Sequence, residues 1–304
     1  MNNSIEDIIY AAIIGDACGY TLDGMKKAHI QAVFKGEDGF LDPEPALKNH
    51  MDRWRKPGLY SSITQLMLLT SASVEKNIFR MDKFIDSVRN APELPGSELS
   101  YFRDPGQAEK HFILSVRAEK KDSLTPYAKS CARILPVAIP LLLTGKESSI
   151  LNDTLRLVSL FTTDTSTAAD TFFFLRILSD LCNSEGKGTY EEHVIDSIRA
   201  AMYVLTDNQH RIFENGYNPD YMVREGEILY DLMGRLFELK DPEKIEKIIC
   251  ETANRRQKSP VARASVNIPE TLLPFALSIV RLMHPLSAIY HSASREGGSA
   301  SALA

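Results

Sequence analysis

Three hydroxyl side chains, Ser61, Ser62 and Thr64, open the apolar stretch "SSITQLMLL" just after a loop through Pro57 and Gly58. A serine at the first turn of a helix offers its oxygen to an amide that lacks an intrahelical partner, worth about 1 kcal/mol. That is the plain chemistry these residues predict. His284 and His291 are seven apart, a spacing that would share a helix face. Two histidines alone are more often packing or surface residues than metal ligands. "GKES" at Gly145 to Ser148 lacks the upstream glycine of a phosphate loop, since Pro140 holds that place. No GxGxxG, HExxH or GxSxG is present. "NRRQK" from Asn254 to Lys258, with Arg263, is the best basic patch. It reads as a solvated helix end that benefits from the helix dipole.

The elements that must position these residues are helical almost everywhere. "SIEDIIYAAIIGDACG" places Ile5, Ile8, Ile9, Ala12 and Ile13 on one face, with Glu6 and Asp7 in its positive first turn. "SSITQLMLLTSASV" reads as a buried helix, and "DPGQAEKHFILSVRAEK" as a helix starting at a turn. "PYAKSCARILPVAIPLLL" carries Pro136 and Pro140 and should break. "SSILNDTLRLVSLFT" and "STAADTFFFLRILSDLC" predict a helical hairpin around "TTDT". Helices are also expected over "YEEHVIDSIRAAMYVLT", "YMVREGEILYDLMGRLFEL", "PEKIEKIICETAN", "IPETLLPFALSIVRLM" and "PLSAIYHSAS". "IQAVF", from Ile30 to Phe34, is the one strand candidate. Two stretches rich in Pro, Gly and acids, 35–50 and 90–106, predict long surface loops. No repeat of fixed period is visible. The expected architecture is therefore one all-α domain over residues 1–304.

Composition excludes several classes. A net charge of -5 gives no bulk attraction to nucleic acid or to an anionic membrane. No run of about 18 apolar residues exists, so no membrane span is expected. The first residues are acidic and their apolar run breaks early, unlike a secretory signal. Cys18, Cys131, Cys182 and Cys250 form no CxxC pair, and the first three lie in apolar stretches. Reduced, buried thiols and a cytoplasmic location are expected.

Several segments, in order, resemble the ADP-ribosylglycohydrolase family, which includes the dinitrogenase reductase-activating enzyme and the J1 crystallins. "AAIIGDACGYTLDG" resembles GDALGxxxE: Gly15, Asp16, Ala17 and Gly19 match, and Asp23 stands for the glutamate. "GLYSSITQLML" resembles GxxTDDTxMxL. "FRDPGQAEKHF" resembles a DxGxT segment, with Asp104 and Gly106 matching and Ala108 in place of threonine. "YAKSCARILPVAIPL" resembles SNGAxMRxxPL, with Arg133 and Pro136 matching and Ala128 and Lys129 at the Asn and Gly positions. "SLFTTDTSTAAD" resembles the segment with a Thr-His pair, Thr163 taking the histidine position. The last region resembles one ending in GGDTDT, where Gly297 and Gly298 match. The resemblance spans Ala11 to Ala304. It implies a compact all-helical fold with a cleft for an ADP-ribosyl group and two magnesium or manganese ions.

The same alignment implies a loss. Metal-binding aspartates of the family align with Ser62, Ile63, Ser299 and Ser301. Hard divalent cations want several anionic oxygens, and these residues offer none. No metal or other cofactor is therefore expected. Asp23 and Asp104 remain as the implied acid pair, able in principle to serve as acid and base in glycoside cleavage. Each also suits an ordinary turn, Asp104 in "RDPG" and Asp23 in "LDG".

Ser61, Ser62, Thr64, Gly297, Gly298, Ser299 and Ser301 form the implied ligand-binding cleft. Helix N-termini there could receive an anion without metal. Equally, Ser61 or Ser62 is a cap, and "GGSASALA" a close-packed helix start. The family usually continues past this segment with further helices, whereas Ala304 is only two residues beyond it. Apolar surface left bare would call for a protein partner or a second copy.

The preferred expectation is a non-catalytic member that binds ADP-ribose or a nucleotide, or serves as an interaction protein. The rival is a divergent hydrolase of an N- or O-glycosidic ADP-ribosyl bond, using Asp104 and Asp23. A crystallin-like structural protein is a third reading.

Overall fold

A computed structural model describes residues 4–22, 27–35, 40–42, 57–92, 101–118, 126–145, 147–184, 187–256, 261, 268–284 and 287. The fold is all-α. Chain contacts divide it into two units, one made of residues 1–9 and 62–231, the other of 10–61 and 232–304. Helix α1 (Ile5–Leu22) contributes to both.

In the first unit, the helix after Ser61 is α3 (Ser62–Ala72), buried at Ser62, Ile63, Thr64, Gln65, Leu66, Met67 and Thr70. Burial on more than one face makes it a core helix. The expected continuation through Val74 is corrected. The helix stops at Ala72, and the chain turns into a hairpin, β1 (Val74–Glu75) antiparallel to β2 (Ile78–Phe79). Lys76 and Asn77 take positive φ of 49° and 61°, as a two-residue hairpin turn needs. Asparagine tolerates that conformation, so local turn chemistry overrides the apolar period.

Helices α4 (Met81–Arg89) and α5 (Gln107–Arg117) follow. Their inner faces meet in a ring cluster: Phe84 stacks on Phe112 at 5.8 Å, and Phe112 lies 4.4 Å from Phe161. Offset and tilted rings add to the area they bury.

The proline-rich stretch breaks as expected, into α6 (Ile134–Val137) and a 3-10 helix (Ile139–Thr144) with proline in its first turn. Next, α7 (Glu147–Phe161) and α8 (Thr165–Asn183) form the predicted helical hairpin. Asp164 caps α8 by accepting from the Thr167 amide over 2.8 Å. Helices α9 (Tyr190–Asp207), α10 (Gln209–Glu214) and the start of α11 (Pro219–Phe237) complete the unit. Gly226 on α11 allows close approach: a Cβ there would stand 2.5 Å from Phe173 Cζ and 2.6 Å from Met202 Cγ.

In the second unit, α2 (Lys27–Phe34) contains "IQAVF", which is helical and not a strand. Ile30 and Phe34, one turn apart, bury together with Leu22 and Leu41. That shared face decides the segment against the strand preference of its branched residues. Helices α12 (Pro242–Asn254) and α13 (Pro269–Ile279) pack on each other. No described helix is long and apolar enough to cross a membrane.

Candidate functional site

Ser62 is completely buried at the start of α3. Its hydroxyl donates to Glu109 Oε2, and it accepts from Arg133 Nη2 at 3.4 Å. Glu109, in the first turn of α5, is itself fully buried. Its Oε2 also accepts from the Gly106 amide at 3.1 Å, and its Oε1 receives Arg133 Nε at 2.7 Å. Arg133 Nη2 reaches the carbonyl of Asp104 at 3.2 Å. A buried carboxylate is thus fully engaged, by a guanidinium, a hydroxyl and an amide. Gly106 eases the approach, because a Cβ there would lie a tight 3.1 Å from Arg133 Cδ and 3.3 Å from Glu109 Oε1.

The loop that carries Asp104 is pinned to α3. The Ser62 amide donates to the Arg103 carbonyl at 2.8 Å. Gln65, one turn later and buried, accepts from the Arg103 amide at 2.8 Å and donates to the Tyr101 carbonyl. Asp104 then adopts a positive φ of 45°, with its side chain exposed. Left-handed backbone is tolerated by aspartate more readily than by most residues.

Ser61 belongs to the second unit. Its amide donates to Asp16 Oδ2 at 2.9 Å, and its hydroxyl to the same carboxylate. Both residues are buried. Asp16 lies on α1, so the segment that resembles GDALGxxxE holds the residue that precedes α3.

Thr64 and Ile63 are buried on α3. Thr163 is exposed, with its amide donating to the Tyr127 carbonyl at 3.0 Å. Asp23, Gly297, Gly298, Ser299 and Ser301 lie outside the described residues, as do Lys258, Arg263 and His291.

Neighbouring groups feel the buried pair. Burial, and then the charge of Glu109, push the Cys131 thiol up to about 12, with Arg133 opposing.

Glu109 and Gln65 escaped the motif reading. Gln65 offered no local signal. Glu109 did: it stands three residues after the turn glycine Gly106, the position from which a glutamate reaches back to a helix-start amide. Its burial and its meeting with Arg133 had no such signal.

These segments are Asp16 with Ser61, the start of α3, the Asp104 loop and Arg133. They are the ones whose residues resemble one family, and a sequence model of that family, ADP-ribosylglycohydrolase, matches residues 2–304. The chain belongs to the ADP-ribosylglycohydrolase family. No curated protein matches it closely enough to add a relative.

In this ADP-ribosylglycohydrolase-family chain, the first turn of α3 carries no acidic residue. Ser62 brings a hydroxyl already shared between a carboxylate and a guanidinium, and the Ile63 side chain brings no oxygen. Among the described residues, no group of three or more His, Cys, Asp and Glu is placed to hold a metal ion.

Proposed function

We propose that this chain is a non-catalytic member of the ADP-ribosylglycohydrolase family that binds ADP-ribose or a related nucleotide without divalent metal, or serves as an interaction protein. The observation that carries the reading is the Ser62–Glu109–Arg133 cluster. At the start of α3 the residues do not fit a pair of divalent cations. The buried Glu109 carboxylate already has its counter-charge at 2.7 Å, and a second cation there would face the guanidinium. Ser61, Ser62, Thr64, Gly297, Gly298, Ser299 and Ser301 are the residues proposed to bind the ligand. Partners of this kind are a small anionic ligand, a protein or a second copy of the chain. Nucleic acid and membrane are not among them.

A second reading keeps a hydrolase. Asp104 favours it, as an exposed carboxylate on a left-handed backbone held by a charged donor. Constrained conformations of this sort gather at working sites. In that reading Asp104 and Asp23 cleave an N- or O-glycosidic ADP-ribosyl bond.

Isothermal titration of ADP-ribose into chelator-treated protein, repeated with manganese, separates these. Binding that ignores manganese is the expected result. Binding that needs manganese, with release of ADP-ribose lost in Asp104→Asn, would establish the hydrolase instead. No binding in either condition would leave the interaction role.

A further inference from the structure

A cavity lies away from the cluster around Arg133. In its first turn, α8 meets the Arg133 segment, where Thr167 Oγ1 accepts from the Cys131 amide at 3.0 Å. Arg176 and Asp180 stand about 14 and 20 Å further along the same helix, at the rise of a regular turn. There α8 supplies Phe172, Arg176, Ser179 and Asp180, and α7 supplies Ile150. With Gly145 they line, among the described residues, a cavity of about 190 Å³.

The lining changes character along one face of α8. Phe172, Arg176, Ser179 and Asp180 follow one another at steps of four, three and one, so they share a side of the helix. Phe172 and Ile150 are buried and make an apolar floor. Arg176 Nε donates to Asp180 Oδ2 over 2.8 Å, and their side chains are 21% and 29% exposed. The ion pair therefore sits at the mouth, partly in water, with the Ser179 hydroxyl beside it. Gly145 holds a positive φ of 74°, and a Cβ there would meet no heavy atom within 4 Å, so the lining is uncrowded at that point. On a fully exposed helix face such a pair would serve the helix alone. Here it rims a hollow with an aromatic floor.

The pair sets the charge of the ligand. A guanidinium and a carboxylate one turn apart sum to zero. An anion drawn to Arg176 would lie beside Asp180, and a cation drawn to Asp180 beside Arg176, so a single charge loses on one partner much of what it gains on the other. A ligand carrying both charges on neighbouring atoms meets each with its opposite. The floor sets the other end. An apolar cavity of about 150 Å³ holds benzene. A volume of about 190 Å³ thus suits a branched aliphatic or single-ring side chain, with the charged head at the mouth. We propose that this cavity binds a small α-amino acid zwitterion with an apolar side chain, its carboxylate on Arg176, its ammonium on Asp180 and its side chain over Phe172 and Ile150. The site is separate from the start of α3 and does not depend on what binds there.

Isothermal titration of L-phenylalanine and L-leucine into the intact chain tests this. The controls are 3-phenylpropanoate and phenethylamine, which carry the same ring and lack one charge each. Saturable binding of phenylalanine or leucine, about tenfold or more tighter than either control, is expected, since each control forfeits a charge-assisted bond. No saturable binding of either amino acid up to its solubility would overturn the proposal. So would a control that binds as tightly as the amino acids.

Arg176→Met/Asp180→Leu removes both charges at once, so neither is left stranded, and should lose this binding. Unchanged affinity would put the amino acid elsewhere on the chain and overturn the site. Should the double variant fail to fold, Asp180→Asn is read in its place. It keeps the shape, loses the partner of the ammonium, and should bind 3-phenylpropanoate as well as phenylalanine. A surviving preference for phenylalanine would overturn the proposal. None of these measurements uses ADP-ribose, so failure here and failure of the ADP-ribose titration are separate results.

Discussion

Arg133 Nε donates to Glu109 Oε1 over 2.7 Å, across 24 residues of chain and with the glutamate fully buried. The contact joins the residue before α6 to the first turn of α5, and through Ser62 it reaches α3. Burying a charged pair costs solvation, which is recovered only when geometry is good and the remaining lone pairs are filled. Here Ser62 and the Gly106 amide fill them.

Glu109→Gln keeps the shape but removes the charge, leaving a guanidinium with little water around it. A loss of about 3–5 kcal/mol is expected by urea denaturation. Arg133→Met should cost a similar amount, and the double variant much less than the sum, because neither charge is then stranded. Additive losses would mean the two side chains do not act together.

Asp104 tests the cost of its backbone. At a φ of 45°, glycine has no Cβ to strain, whereas alanine has one and lacks the local polarity of aspartate. Asp104→Gly should therefore be about 1 kcal/mol more stable than Asp104→Ala. Equal melting temperatures would show that the loop relaxes out of this conformation in solution.

Gly226→Ala places a methyl against Phe173, which is fully buried, and against Met202. Overpacking of this kind costs about 1–3 kcal/mol. Chemical denaturation reads it directly, and Phe173→Leu in the same chain should return part of the loss by opening space. No loss would mean α8, α9 and α11 are less closely packed than their contacts indicate.

High pH should destabilise the first unit. The Cys131 thiol rises from the ordinary 9.0 to about 12 through burial and the charge of Glu109. Between those values the unfolded chain loses a proton that the folded chain keeps, so stability falls as pH rises through this window. Tyr217, buried and donating to the Thr162 carbonyl at 3.0 Å, is pushed up as well and acts with the same sign. Cys131→Ala should flatten the decline in urea midpoint between pH 8 and pH 10.5. The same variant should leave a native-state thiol assay at pH 8 unchanged, since the wild-type thiol is buried and protonated. A Cys131 that reacts rapidly in folded protein would contradict both.

The helices were legible because their cause is local. Side chains three and four apart share a face, so "PEKIEKIICETAN" announces α12 and the paired apolar runs announce the α7–α8 hairpin. Pro136 and Pro140 announce a break for an equally local reason. "IQAVF" misled because five residues rich in branched side chains suit either structure, and burial against Leu22 and Leu41 chose the helix. The hairpin at Lys76 and Asn77 was hidden because its strands are two residues each, too short to show alternation.

The residues alone determined a helical chain and, through a series of degenerate motifs, its family. They singled out Ser61, Ser62 and Asp104 as candidate site residues. Only the tertiary structure decided what those side chains meet. Ser62 finds its carboxylate 47 residues away and its guanidinium 71 residues away, and no periodicity records such distances. Ser61 finds Asp16 across 45 residues. Helical period follows from bonds within one turn, whereas the charge state and partners of a buried group follow from which distant segments exclude water around it.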